Sequence, residues 1–260
     1  MRLIDAHAHI GTWADFFVPQ PGADWFVRTM DHLGVEAAGI SHMFGVGHDA
    51  VTGNRLTLEA VAAHPGRLYA WLVASPHDHD AVARLADQLD QPGVWGIKIH
   101  PDTHEVTLDD PRYEPVLQLA AEHGAPVLTH TQTQSPWSDP AVAATVARRT
   151  PAQLLMGHGG LSLHGLLAAA RLAAEVDNLW FETASSRLTR HWLRRVVTEA
   201  GADKVLFGTD ALFLDPRTGV GRFNAADLTD AERAAVGAGN LVRILGARLP
   251  TPAPSPQEAS

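Results

Sequence analysis

Eight apolar segments rich in β-branched residues alternate with helix-like segments along the chain. The strands are predicted over Leu3–Ile10, Val35–His42, Leu68–Ala74, Val94–His100, Pro126–His130, Gln153–His158, Leu179–Thr183 and Lys204–Asp210. Helical spacing is clear in Asp80–Leu89, where Val82, Leu85, Ala86 and Leu89 form one buried face. Further helices are predicted over Tyr113–His123, Ala141–Arg149, His164–Glu175, Trp192–Ala200 and Asp227–Leu245, with Gly34, Gly124 and Gly201 at C-cap positions. Strand–helix alternation implies an α/β protein with a parallel sheet, and eight units imply a closed (β/α)8 TIM barrel. The alternative, an open doubly wound sheet, lacks its phosphate-binding signature: no Gly-x-Gly-x-x-Gly follows the first strand. A single barrel domain is expected over residues 1–246, and the Pro-, Ser- and Ala-rich end, residues 247–260, is expected to be a disordered tail.

Loop lengths point the same way. Helix-to-strand connections are short, as at Gly34, His64–Gly66, Gln91–Gly93 and Gly124–Ala125. Strand-to-helix connections are often long: Gly11–Gly22, Met43–Asp49, Pro101–Pro111, Thr131–Asp139 and Ala211–Ala226. In a barrel these long loops share the C-terminal face, where active sites are built.

The polar residues converge on that face. Ile4-Asp5-Ala6-His7-Ala8-His9-Ile10 puts two histidines two residues apart on a strand, so both point to one side. His100 ends the fourth strand, His130 the fifth, His158 the sixth and Asp210 the eighth. A polar residue ending an apolar strand can be mere punctuation, but five metal-type residues on four strands are poorly explained that way. The chain has no cysteine, which excludes disulfides and thiolate ligands, so any metal site must use His, Asp, Glu or carboxylated Lys. Imidazoles with one carboxylate suit Zn²⁺, with Mn²⁺, Fe²⁺, Co²⁺ or Ni²⁺ as alternatives. No Gly-x-Ser-x-Gly elbow is present to support a serine triad.

The set IDAHAHI, GIKIHP, PVLTH, LLMGHGG and VLFGTD resembles the amidohydrolase superfamily, and within it the amidohydrolase-2 branch, over residues 1 to about 246. The resemblance implies a divalent metal, usually zinc, held by His7, His9, His130 and Asp210. It places His158 on a second metal or in an acid/base, substrate-orienting role. It also raises the question of Lys98, one of two lysines against eighteen arginines, since some superfamily members carboxylate a fourth-strand lysine to bridge two metals. The other reading of Lys98 is a barrel lysine paired with an acid such as Glu182 or with a substrate anion. One metal per chain is favoured over two.

The expected activity is metal-dependent hydrolysis of a C–N or C–O bond, of amide or lactone type, in a small organic acid-like substrate. Water on the metal is the nucleophile, Asp210 the general base, and His158 a polarising or proton-transferring group. His100, Lys98, Arg187 and Trp13 are the expected substrate-binding residues. The alternative is non-oxidative decarboxylation of an unsaturated or aromatic acid, in which Arg187, Arg222 and His158 would act on the carboxylate and carbanion. A non-enzymatic metal-binding barrel is disfavoured by the full ligand set. A net charge of −9 argues against nucleic acid or an anionic membrane as partner. No apolar stretch approaches spanning length and no signal-peptide core opens the chain, so a cytoplasmic location is expected, with homo-oligomerisation left open.

Overall fold

The computed structural model describes residues 1–249; the rest of the predicted tail lies outside the described residues. Eight parallel strands follow one another in chain order: β1 Ile4–Ile10, β2 Ala37–His42, β3 Leu68–Val73, β4 Val94–Ile99, β5 Val127–His130, β6 Leu154–Gly157, β7 Leu179–Glu182 and β8 Val205–Leu206. Closure is made by backbone bonds between β1 and the segment after β8. Ala6 N–H donates to Phe207 O at 2.9 Å, Asp210 N–H donates to His7 O at 2.8 Å, and Ala8 bridges Ala211. This is the (β/α)8 barrel that the alternation predicts.

The helices are α1 Ala23–Leu33, α2 Met43–Gly47, α3 Ala50–Ala63, α4 Ala81–Ala86, α5 Pro101–His104, α6 Glu114–Glu122, α7 Pro140–Ala147, α8 Leu163–Glu175, α9 Arg190–Ala200, α10 Pro216–Ala225, α11 Asp230–Ala234 and α12 Asn240–Leu245. Three lie in segments read as loops, and each has a local cap. The His42 side chain accepts from Phe44 N to open α2, His100 accepts from Thr103 N to open α5, and Asp215 accepts from Arg217 N to open α10. Single-turn helices such as α5 are too short to leave a periodic pattern.

Two other expectations are corrected. The eighth strand, predicted over Lys204–Asp210, keeps ladder geometry only at Val205–Leu206 because its later amides bond elsewhere. Phe207 N–H goes to Val236 O, Gly208 N–H to Thr183 Oγ1 and Thr209 N–H to Asp5 Oδ1. The same bond explains the second difference. The single helix predicted over Asp227–Leu245 is interrupted by a π-turn at Ala235–Gly239, which lends the Val236 carbonyl to the strand. The first residues of the expected tail pack on the barrel. Leu249 is buried with Leu241 and Leu245 beneath the barrel, and Arg248 donates to the carbonyls of Leu89 and His123.

Two apolar layers hold the site in place. One lies between strands and helices. The other fills the lower barrel with Ile4, Trp71, Trp95, Leu128, Leu155 and Leu206, sealed by α12. The Trp71–Trp95 pair fits because position 39 is glycine; a Cβ there would collide with both rings. Above this plug the barrel interior turns polar, at His7, Lys98 and Glu182, all fully buried. No helix among the described residues is long and apolar enough to cross a membrane.

Candidate metal centre and cavity

His7 and His9 face the same side of β1, as their spacing predicts, and their Nε2 atoms lie 3.1 Å apart. Asp210 Oδ1 stands 3.4 Å from His9 Nε2 and 3.9 Å from His7 Nε2. The donor atoms of these three residues lie within 4.8 Å of one another, as do those of a second trio, His7, His158 and Glu182. The orphan buried nitrogen and the chemistry of the first trio fit a divalent metal: two imidazoles, a carboxylate and, nearby, His130, whose buried Nδ1 has no partner. His130 joins neither trio among the described residues. It sits beside them, its ring stacked on His100 at 4.1 Å and edge-on to His158 at 4.8 Å.

His7, His9 and His158 are each oriented by a second group. Glu182 Oε2 lies 2.9 Å from His7 Nδ1 and also accepts from His158 N at 3.1 Å, while its Oε1 accepts from Ala184 N. Lys98 Nζ is 2.8 Å from His7 Nε2. As an ammonium Lys98 can only donate, so His7 Nε2 accepts and the ring proton sits on Nδ1, given to Glu182. Lys98 thus takes the lone pair that a metal would use, and reaches Glu182 only through His7. His9 Nδ1 is paired with Ser41 Oγ at 2.9 Å, across the register that sets His9 opposite Ser41. His158 Nδ1 donates to the Ala184 carbonyl, which leaves Nε2 as an acceptor. That tautomer suits proton acceptance or ligation rather than electrophilic polarisation.

The backbone is distorted where the chemistry is expected. His158 and Asp210 both adopt left-handed conformations, with φ of 68° and 61°. Such angles are uncommon outside glycine and cluster at functional sites. Asp5 secures the turn before Asp210: its carboxylate accepts from the amides of His7 and Thr209 and from the Thr209 hydroxyl.

Burial dominates the electrostatics. It drives the His7, His100 and His130 imidazoles well below their usual range, aided by Lys98 and by one another, and lowers His9 and His158 too. The rings are therefore neutral, as metal ligation requires. Burial also brings Lys98 down to about 8 and pushes Glu182 up to about 8 and Asp5 up to about 7. For Asp210 burial acts upward but is outweighed by His158, His9 and Lys98, which hold the carboxyl below its ordinary value.

A cavity of about 390 Å³ opens above these groups at the C-terminal face. Lys98, His100, His130, His158 and Asp210 line it, with Trp13, Phe16, Phe213 and Leu214 forming an apolar wall. Phe213 stacks on His9 at 5.3 Å and Phe16 on Phe213 at 4.8 Å, so an aromatic column runs from the centre to the mouth. His100 both caps α5 and faces the cavity. Arg187 is exposed and outside the lining. Arg222 donates to the carbonyls of Thr183, Ser185 and Leu188, bracing the loop after β7. A larger depression of about 610 Å³ lies between α6 and α7 on the flank; it contains no histidine.

Reasoning from sequence did not single out Ser41 or Asp102, and gave Glu182 only as a partner for Lys98. Glu182 had a signal, as the lone polar residue at the end of β7, whereas Ser41 shares the end of β2 with His42.

The same fold recurs in solved structures. The chain is similar in structure to 2,6-dihydroxybenzoate decarboxylase from Rhizobium, at 19% identity and a TM-score of 0.74, over 94% of this chain and 98% of that one. A dihydroxybenzoic acid decarboxylase from Polaromonas, with bound manganese, matches at 19% identity and TM-score 0.73, over 94% and 96% of the two chains. A probable 2-pyrone-4,6-dicarboxylic acid hydrolase from Acinetobacter baumannii matches at 15% identity and TM-score 0.72, over 95% and 100%. At these identities the likeness is one of fold. No curated protein matches the chain. The amidohydrolase family pattern (Amidohydro_2) matches residues 4–247, nearly the whole described barrel, and the chain belongs to this amidohydrolase family.

Proposed function

We propose that this family member is a metal-dependent hydrolase cleaving a C–N or C–O bond, of amide or lactone type, in a small substrate. The observation that carries the reading is the Asp210 carboxylate, held against the Nε2 atoms of His7 and His9 at the base of an open cavity. A divalent metal held by His7, His9 and Asp210, with His130 beside them, supplies Lewis acidity that activates water at neutral pH. Zn²⁺ suits these donors, and one ion per chain fits the single trio that faces the cavity. Asp210, kept ionised by its neighbours, takes the proton of the attacking water and returns it to the leaving nitrogen or oxygen. His158 Nε2 is a second acceptor for that proton. His100, Lys98 and Trp13 line the space that takes the substrate. A cytoplasmic location and a purely small-molecule partner belong to the same proposal.

The decarboxylase reading is favoured by the named activities of two structural relatives. Neither arginine offered for holding the departing carboxylate reaches the cavity, since Arg187 is exposed and Arg222 is engaged with backbone, which leaves that task to the metal and Lys98. A panel of lactones, amides and unsaturated acids in ¹⁸O-water separates the two. Hydrolysis puts label in the product acid without CO₂. Stoichiometric CO₂ with no label in the organic product overturns the hydrolase reading.

A further inference from the structure

We propose that Asp102 is the specificity-determining acceptor of the cavity and that the substrate presents a protonated amine to it. The inference rests on the cavity read above as the hydrolase site and names the class of substrate that site takes.

Asp102 lies in the first turn of α5, and its side chain lines the cavity. Its Oδ1 accepts from Ser135 Oγ at 2.6 Å. Ser135 Oγ in turn accepts from Trp137 N at 3.0 Å and Ser138 N at 3.3 Å, so its single proton is committed to Asp102. The carboxylate is thereby fixed in orientation by the loop after β5. Oδ2 is buried and has no hydrogen-bond partner. His130 Nε2, at 3.7 Å, is too far to donate to it. A buried carboxylate oxygen left without a donor is costly, and Asp102, which carries it, lines a cavity that a ligand enters.

Charge selects the donor. Asp15, Asp102 and Asp210 all line the cavity. Among the described residues Lys98 is its one lysine or arginine, and Lys98 is engaged with His7. Arg217 is paired with Asp215 outside it. A substrate carboxylate placed at Asp102 would meet like charge, whereas an ammonium would supply the missing donor and the opposite charge together. The facing wall of Trp13, Phe16 and Phe213 accepts an apolar body. The substrate class is therefore an amide, lactam or lactone with an apolar frame and a distal amine, rather than the acid-like molecule expected from sequence.

Three five-membered lactams differing only in an aminomethyl, methyl or carboxylate substituent test this, titrated calorimetrically into the Zn²⁺-loaded protein. The aminomethyl compound should bind tighter than the methyl one by roughly tenfold or more, and in Asp102→Asn that ratio should fall to about one. Circular dichroism and metal content of Asp102→Asn should match the wild type. Equal binding of the three, tighter binding of the carboxylate, or an amine preference that survives Asp102→Asn overturns the proposal. So does metal loss in Asp102→Asn, which would assign Asp102 to holding His130. Binding is read without turnover: an amine preference in lactams that are bound but never hydrolysed leaves this inference standing and removes the hydrolase reading instead.

Discussion

His7 Nδ1 lies 2.9 Å from Glu182 Oε2, and both side chains are completely shielded from solvent. The pair joins the first strand to the seventh and decides which nitrogen of His7 faces the cavity. A carboxylate behind a ligating histidine fixes its tautomer and ring angle and raises its basicity. Glu182→Gln preserves shape but replaces one acceptor oxygen with a donor NH₂ group. Metal affinity measured by chelator competition should fall by roughly 10- to 100-fold. Unchanged affinity would show that Glu182 has no part in holding the metal.

Gly208 makes room for that glutamate, since a Cβ at this position would run into Glu182 Oε1. Gly208→Ala should lower stability by about 1–3 kcal/mol through overpacking, with metal affinity falling alongside it. Urea denaturation and metal titration of the same preparation check both.

Lys98 and a metal compete for one lone pair on His7. Removing the ammonium in Lys98→Met should strengthen metal binding by on the order of tenfold, because like charges a few ångströms apart repel by about 4 kcal/mol at an effective dielectric of 20, and Lys98 sheds part of that by moving. Loss of metal in Lys98→Met would instead assign Lys98 to a carboxylated bridge between two ions.

Ligand and proton acceptor are separable. His9→Ala should lose metal and turnover together. His158→Ala should keep the metal and lose turnover by roughly 10²- to 10⁴-fold, the range of a general acid–base group. Metal analysis paired with activity on the same samples distinguishes them, and loss of metal in His158→Ala would move His158 into the ligand set.

Buried neutral histidines predict acid lability. His104, paired with Tyr113, is pushed by burial down to about 4. A depressed histidine contributes stability that is whole above its unfolded pKa of about 6.5 and is lost as pH falls towards the folded value, because the unfolded chain binds the proton first. Its share at pH 5 is a loss of about 2 kcal/mol relative to pH 7. His104→Gln should flatten the fall in stability between pH 7 and 5 by about that amount, read from urea midpoints at the two values.

How far the sequence reveals the protein depends on the range of each interaction. Strand parity is local, so the shared orientation of His7 and His9, and the convergence of His100, His130, His158 and Asp210 at strand ends, are legible in the chain. The tethers are not local. Glu182 meets His7 across 175 positions, and Asp5 meets Thr209 across 204. Periodicity says nothing about such pairs. The truncated β8 and the π-turn have one cause, the Phe207–Val236 bond, which no window over either segment contains. Arg187 and Arg222 looked suited to a substrate because their loops lie on the right face. Which way a loop side chain points is decided by packing, and packing turns one to solvent and the other to backbone.

The most direct test of the central claim is the metal content of the purified protein, measured with activity before chelation, after it and after readdition of Zn²⁺. The account predicts about one divalent ion per chain, activity lost with the ion and restored with it, and both abolished in His7→Ala and in Asp210→Asn. Full activity in the chelated protein, or in Asp210→Asn without bound metal, would contradict it.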